Sequence, residues 1–148
     1  MTRVLVAMDG SPESAHAAAT AVDLFGPTAE YLVANVAQSV YPLPDGVTFG
    51  AVYPMSGSEW TNLVDAADHA ATATAARGAA SAGIDEAEII VEHGDVVGAL
   101  CLAAEAHSAD VIVVGSHDKS WIGRLISPSV ADGIAHRSPR PVLVVSGE

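Results

Sequence analysis

Two short segments near the end of the chain contain only apolar residues. Residues 111–114 have the sequence Val-Ile-Val-Val, and residues 142–145 have the sequence Val-Leu-Val-Val. Runs without polar alternation are typical of strands buried on both faces, as in parallel sheets covered by helices. The pattern predicts further strands at residues 3–8, 30–36 and 88–92. The last of these is less apolar, which indicates an edge strand.

Helices are predicted between these strands, at residues 12–25, from 58–59 to about 81, from 95 to 107 and from 129 to 136. Ser11 suits the N-cap of the first helix, Pro12 its first turn, and Gly26 its end. Gly83 is predicted to end the second helix, and Asp95 to cap the third.

Residues 38–58 are rich in proline and glycine and predict a long loop without firm secondary structure. Loops of this length are uncommon in compact domains and are often functional. Two arrangements stay open: the loop covers the carboxyl edge of the sheet, or it is partly disordered.

Strands that alternate with helices predict one α/β domain over residues 1–148, with an open doubly wound parallel sheet of five strands and helices on both faces. In such folds ligands bind beyond the carboxyl ends of the strands. Gly115 follows the fourth predicted strand directly, so the turn after that strand is a candidate phosphate site. The pattern alone leaves the strand order open.

Composition and charge exclude several kinds of binding partner. The formal charge is −12 with only 6 Lys and Arg, so nucleic acid and anionic membranes are poor partners. No apolar run approaches the roughly 20 residues that span a bilayer. Asp9 interrupts the first apolar stretch, which disfavours a signal peptide, and we expect a cytoplasmic protein. Cys101 is the only cysteine and is interpreted as a small buried residue rather than a nucleophile.

Four segments in this order resemble the universal stress protein family over essentially the whole length. They are Val4-Leu-Val-Ala-Met-Asp-Gly-Ser-Pro-Glu-Ser14, Gly94-Asp95, Ala109-Asp-Val-Ile-Val-Val-Gly-Ser116 and Ser138-Pro-Arg-Pro-Val-Leu-Val-Val145. The resemblance implies strand order 3-2-1-4-5 in a Rossmann-like fold related to the adenine nucleotide alpha hydrolases.

The resemblance also implies a homodimer in which the last strands, from Val142 to Val145, pair side by side. An unpaired apolar edge strand is an aggregation hazard, which makes this pairing physically reasonable. The alternative is an edge covered by the C-terminal tail, but only three residues follow Val145. The sequence identifies no other protein partner.

One branch of the family binds ATP through the motif Gly-x2-Gly-x9-Gly-Ser/Thr. On this chain Gly115 matches the first glycine, Asp118 and Pro128 replace the other two, and Ser129 keeps the hydroxyl. Asp118 adds negative charge unless a cation bridges it to phosphate, and Pro128 has no N–H to donate. Pro128 nevertheless suits a helix start, and the amides of Ser129 and Val130 remain available there.

The nucleoside side of the implied site is better preserved. Asp9 matches the aspartate that contacts the nucleoside, and Ala7 and Val36 match positions that line the adenine, while Asn35 stands where the family commonly has histidine. Simple turn, capping or solvent-exposed roles stay open for Asp9, Ser129, His117 and Lys119. The predicted site comprises Ala7, Met8, Asp9, Val36, Val114, Gly115, Ser116, His117, Lys119, Ser129 and Val130.

Three classes of function come into question for a chain of this kind. The first is a nucleotide-binding regulatory module that takes ATP, with or without Mg²⁺, in a stress response. The second is a dimeric stress or interaction protein that has lost its nucleotide. The third, an adenylate-transfer enzyme, is disfavoured because the chain has neither a His-x-Gly-His pattern nor a Gly-x4-Gly-Lys-Ser/Thr loop. Slow ATP hydrolysis is the most turnover that we expect.

Overall fold

The computed structural model describes residues 1–37, 57–116 and 128–146. Strands and helices alternate through these ranges, so the predicted α/β pattern is confirmed. The elements are β1 (Arg3–Ala7), α1 (Pro12–Phe25), β2 (Glu30–Ala37), α2 (Gly57–Ser81), β3 (Ala87–His93), α3 (Val96–Ala106), β4 (Val111–Ser116), α4 (Pro128–Arg137) and β5 (Val142–Ser146). The predicted loop at 38–58 lies outside the described residues up to residue 56, and its last two residues begin α2.

All neighbouring strands are parallel, and the sheet has the order β3-β2-β1-β4-β5. This confirms the predicted strand order and places β3 at an edge. β4 and β5 extend beyond their apolar runs because their ladder continues to the pair Ser116 and Ser146. Conversely, β1 ends at Ala7, one residue earlier than predicted.

Two apolar cores lie on opposite faces of the sheet. On one face Leu5, Leu32 and Ile112 pack with side chains of α3 and α4. On the other face Val4 and Val33 pack with side chains of α1 and α2. Because both faces of the central strands are buried, near-continuous apolar runs are what the fold requires.

The predicted helix ends are confirmed by their hydrogen bonds. The Ser11 side chain accepts from the Ser14 amide at 3.1 Å, and the Asp95 side chain accepts from the Gly98 amide at 2.8 Å. Gly83 ends α2 with φ of +81°, a conformation that favours glycine. Together these caps fix where α1 and α3 start, at the carboxyl edge of the sheet.

Gly78 lets α2 pack closely on the end of β1. A Cβ atom at Gly78 would lie 2.3 Å from the Met8 Sδ atom and 2.6 Å from the Met8 Cε and Cγ atoms. Met8 is only 2% exposed, so its side chain has little free space to move into. The glycine therefore serves helix–sheet packing.

We expect Gly78→Ala to destabilise the protein by about 1–2 kcal/mol, because the overpacking exceeds the roughly 1 kcal/mol that alanine gains over glycine inside a helix. Urea denaturation of the wild type, both single variants and the Met8→Ala/Gly78→Ala double variant measures the effect. If the clash is the cause, Gly78→Ala becomes neutral or stabilising in the Met8→Ala background. If the loss of stability in the double variant equals the sum of the losses in the two single variants, this packing explanation is contradicted.

Candidate functional site

A cleft opens at the carboxyl ends of β1 and β2, beside the first turn of α3. It is lined by Ala7, Met8, Asp9, Ala34, Val36, Val96 and Leu100. The space between its walls is about 270 Å³ when the open solvent of its mouth is counted, so it is a surface cleft rather than an enclosed cavity. It lies where ligands are expected in an open α/β sheet.

Periodicity explains the apolar walls of the cleft. Ala34 and Val36 are two residues apart on β2 and therefore share one face of the sheet. Val96 and Leu100 are four residues apart on α3 and therefore share one face of the helix. Ala34 and Leu100 are only 1% exposed, so Val36 and Val96 supply most of the accessible apolar surface of these walls.

Asp9 supplies the acidic group of the cleft and is half-buried. Its Oδ1 atom accepts a hydrogen bond from the Ser11 amide at 2.8 Å. Within the described ranges no donor bonds its Oδ2 atom. The turn contact that the sequence left open for Asp9 is therefore present, but it uses one carboxylate oxygen and leaves a second acceptor for a ligand.

Asn35 is a residue whose contribution the sequence prediction missed. Its Nδ2 atom donates to the Met8 carbonyl oxygen at 2.9 Å and so ties β2 to the end of β1. A signal was available, because Asn35 is a polar residue within the otherwise apolar stretch from Leu32 to Ala37. Its partner, 27 residues away, was not visible in the sequence.

The Met8 side chain lies on the opposite face from most of the cleft. It belongs to the core beneath α1 and α2, where the Ser14 hydroxyl lies 3.2 Å from its Sδ atom. Met8 can therefore serve the predicted site through its main chain. Val114 is fully buried, and Ala7 is nearly so, in the core beneath α3 and α4.

Gly115 has a packing reason to be glycine. A Cβ atom there would lie 2.6 Å from the Glu13 carbonyl oxygen and 2.8 Å from the Glu13 carbonyl carbon. Because these are backbone atoms of the first turn of α1, they cannot rotate away as a side chain would. The missing side chain at Gly115 is thus explained without a phosphate, and its predicted phosphate role stays a prediction.

The remaining predicted residues are spread over the β4 and α4 region. Ser116 is the last residue of β4 and is half-buried. Ser129 and Val130 lie in the first turn of α4, where Val130 packs against the core. His117 and Lys119 lie outside the described residues. The structure therefore brings Ala7, Met8, Asp9 and Val36 together in one cleft.

Cys101 packs against the core beneath α3 and α4. Burial raises the pKa of its thiol, which disfavours the reactive thiolate. This agrees with the interpretation of Cys101 as a packing residue.

Neither a metal-binding cluster nor a membrane-spanning helix occurs among the described residues. Among residues 1–37, 57–116 and 128–146, no three His, Cys, Asp or Glu side chains are placed to hold a metal ion. No helix in those ranges combines the length and apolar character needed to cross a membrane.

The family model of the universal stress protein family matches residues 1–146. The chain therefore belongs to this family, as the sequence motifs predicted. A search of the curated proteins gave no significant match.

Solved structures of this family share the fold over nearly the whole chain. A protein of the family from Burkholderia pseudomallei is 22% identical with a TM-score of 0.62, covering 97% of this chain and 95% of its own. A universal stress protein in complex with cAMP is 24% identical with a TM-score of 0.61, covering 99% and 98%. A family protein from Arabidopsis thaliana with AMP bound is 15% identical with a TM-score of 0.63, covering 100% and 93%.

Proposed function

We propose that this protein is a regulatory module that binds an adenine nucleotide and acts as a homodimer in a stress response. One observation carries the nucleotide proposal: Asp9 stands in an apolar cleft with one carboxylate oxygen held by the Ser11 amide and the other free of described donors. Carboxylates at the carboxyl edge of doubly wound sheets can accept hydrogen bonds from ribose hydroxyls. The AMP and cAMP complexes of proteins with the same fold support this proposal.

In the proposed binding mode, different residues contact the base, the ribose and the phosphates. Val36 and Val96 pack on the base, and the free oxygen of Asp9 accepts a hydrogen bond from the ribose. The phosphates extend toward Ser116 and the start of α4, where the amides of Ser129 and Val130 favour an anion. ATP with Mg²⁺ is the proposed ligand, and the cation offsets the negative charge of Asp118.

A second candidate is a dimeric family member without nucleotide. Two observations favour it: Gly115 is required by its contact with the Glu13 backbone, and Asp118 and Pro128 stand at the other two glycine positions of the ATP motif. In that case the cleft no longer binds a nucleotide, and the protein acts through dimerisation and contacts with other proteins.

The substitution Asp9→Asn separates the two candidates. Asparagine keeps an acceptor for the Ser11 amide, but its second polar atom is an N–H₂ group that cannot accept from ribose. A ligand at about 100 times its Kd stabilises a native state by about 2.7 kcal/mol, which is about 5–10 °C in Tm for a chain of this size. We expect ATP with Mg²⁺ to give such a shift in the wild type and about half of it or less in Asp9→Asn, because tenfold weaker binding lowers the stabilisation to about 1.4 kcal/mol at the same ligand concentration.

Asp85→Asn is the matched control for this thermal-shift measurement. Asp85 is exposed and lies just before the amino end of β3, away from the cleft. Asp85→Asn therefore removes the same charge as Asp9→Asn without changing a residue of the cleft. Its shift should equal that of the wild type. A wild-type Tm that does not respond to millimolar ATP, AMP or cAMP would favour the second candidate.

The proposed dimer uses the outer edge of β5. Within the described part of the chain, β5 pairs with β4 on one side and with no strand on the other. Val144 is 40% exposed there, although it lies in a strand of apolar residues. Pairing with a second copy would bury Val144 and satisfy the free backbone groups of the edge.

Val144→Lys tests this dimer, because a charged side chain on an edge strand opposes strand pairing. We expect sedimentation equilibrium to show a dimer for the wild type and a monomer for Val144→Lys. Leu24→Lys is the control: Leu24 is 62% exposed, but it lies on α1. A monomeric wild type, or a dimer unaffected by Val144→Lys, would count against the edge interface.

A further inference from the structure

Asn35 extends the contact between β1 and β2 beyond their ladder. The last pair of that ladder joins Ala7 and Ala34. One residue further, the Met8 amide donates to the Ala34 carbonyl at 2.8 Å, and the Met8 carbonyl accepts from the Asn35 Nδ2 atom at 2.9 Å. The donor assignment follows from chemistry, because a carbonyl oxygen can only accept. Both polar groups of the Met8 main chain are therefore held by β2.

The Met8 carbonyl belongs to the peptide group that joins Met8 to Asp9. A peptide group is planar, so fixing its carbonyl oxygen also fixes the direction of the Asp9 N–Cα bond. On its other side, the Asp9 carboxylate is held by the Ser11 amide at 2.8 Å. Asp9 is thus restrained at its main chain by Asn35 and at its side chain by Ser11.

We propose that Asn35 is a positioning residue for nucleotide recognition: through the Met8 carbonyl it sets the direction in which Asp9 presents its free oxygen to the ribose. This inference rests on the proposed function. Asn35 need not touch the ligand, because its hydrogen bond acts on the peptide group that carries Asp9. A restraint of this kind raises affinity because less freedom is lost when the ligand binds.

A merely structural Asn35 would only close the strand pair, and its loss would lower stability without a selective effect on Asp9. The two roles differ in whether the effect of replacing Asn35 on nucleotide affinity depends on Asp9. If Asn35 acts through Asp9, its substitution lowers nucleotide affinity in the wild type and has no further effect once Asp9 is replaced. If its role is structural, the effects on affinity, if any, are independent of Asp9.

Asn35→Asp is the main variant. Aspartate has nearly the same shape, but its carboxylate cannot donate and faces the Met8 carbonyl oxygen with like partial charge. Asn35→His is the rescue variant, because its Nδ1–H can occupy the place of the Nδ2 donor. If Asn35→Asp does not fold, Asn35→Ala removes the donor without adding charge and replaces it in every comparison.

The first measurement uses the ligand-free protein and follows amide hydrogen exchange of Ser11 by NMR. We expect exchange at Ser11 to become about tenfold faster in Asn35→Asp, since loss of this partly buried hydrogen bond favours local opening by about that factor. Asn35→His should restore the wild-type rate. Unchanged exchange at Ser11 overturns the inference whether or not nucleotide binds.

The second measurement is calorimetric titration with AMP and with ATP–Mg²⁺. We expect Asn35→Ala, which adds no charge that would itself repel the nucleotide, to weaken binding about tenfold in the wild-type background and to have no effect in the Asp9→Asn background. Full additivity overturns the inference. If neither nucleotide binds the wild type, the proposed function has failed, and the Ser11 exchange rate alone decides whether Asn35 positions Asp9.

Discussion

Gly115→Ala is expected to destabilise the protein by about 3 kcal/mol, because overpacking against backbone is among the costlier core changes. The added methyl group would lie 2.6 Å from the Glu13 carbonyl oxygen, so β4 and the first turn of α1 must move apart. Both elements are central to the fold, and α1 begins there with its capped turn. Urea denaturation without nucleotide measures the loss directly.

Gly133→Ala is the control for Gly115→Ala. A Cβ atom at Gly133 would lie 3.1 Å from a methyl group of Val97, a side chain that can shift by a few tenths of an ångström. Since alanine also favours the helix, we expect a change of less than about 1 kcal/mol. If both substitutions change the free energy of unfolding by equally small amounts, packing does not require glycine at position 115. That result would favour the predicted phosphate role of Gly115.

Leu100→Ala is expected to cost about 2–5 kcal/mol, the usual range for truncating a buried leucine. Leu100 is 1% exposed, and it belongs both to the core beneath α3 and to the wall of the cleft. Truncation therefore removes apolar burial and enlarges the cleft. Thermal unfolding should show a Tm lower by about 5–15 °C for this loss in a chain of this size.

Leu102→Ala makes the same chemical change two residues further along α3. Leu102 is 66% exposed, so its truncation leaves no cavity, and we expect a change within about 0.5 kcal/mol. Similar losses of stability for Leu100→Ala and Leu102→Ala would contradict an orientation of α3 in which Leu100 faces the sheet and Leu102 faces away. That result would also remove Leu100 from the wall of the cleft.

Local signals made most of the fold predictable. Ser11 and Asp95 marked the starts of α1 and α3. The apolar runs predicted that β4 and β5 are both buried on two faces; this is confirmed for β4 but wrong for β5, an edge strand whose Val144 is 40% exposed. The weaker run at residues 88–92 correctly indicated an edge strand. The strand order came from the resemblance to the family, since alternation alone is compatible with several orders.

Long-range contacts explain what the sequence did not show. Gly115 matched a phosphate motif, but its contact with Glu13 joins residues about a hundred positions apart in the chain. Asn35 and Met8 are likewise joined only by folding. Met8 is different, because strand alternation places it on the face of Val4 and Val6, and that signal was available but not used.

Calorimetric titration of the wild type and Asp9→Asn with ATP–Mg²⁺ and AMP is the most direct test of the proposed nucleotide site. The account predicts saturable binding of one nucleotide per chain, at least about tenfold weaker in Asp9→Asn because a hydrogen bond to a charged acceptor is lost. Equal affinities of the two proteins, or no saturable binding by the folded wild type at millimolar nucleotide, would contradict it.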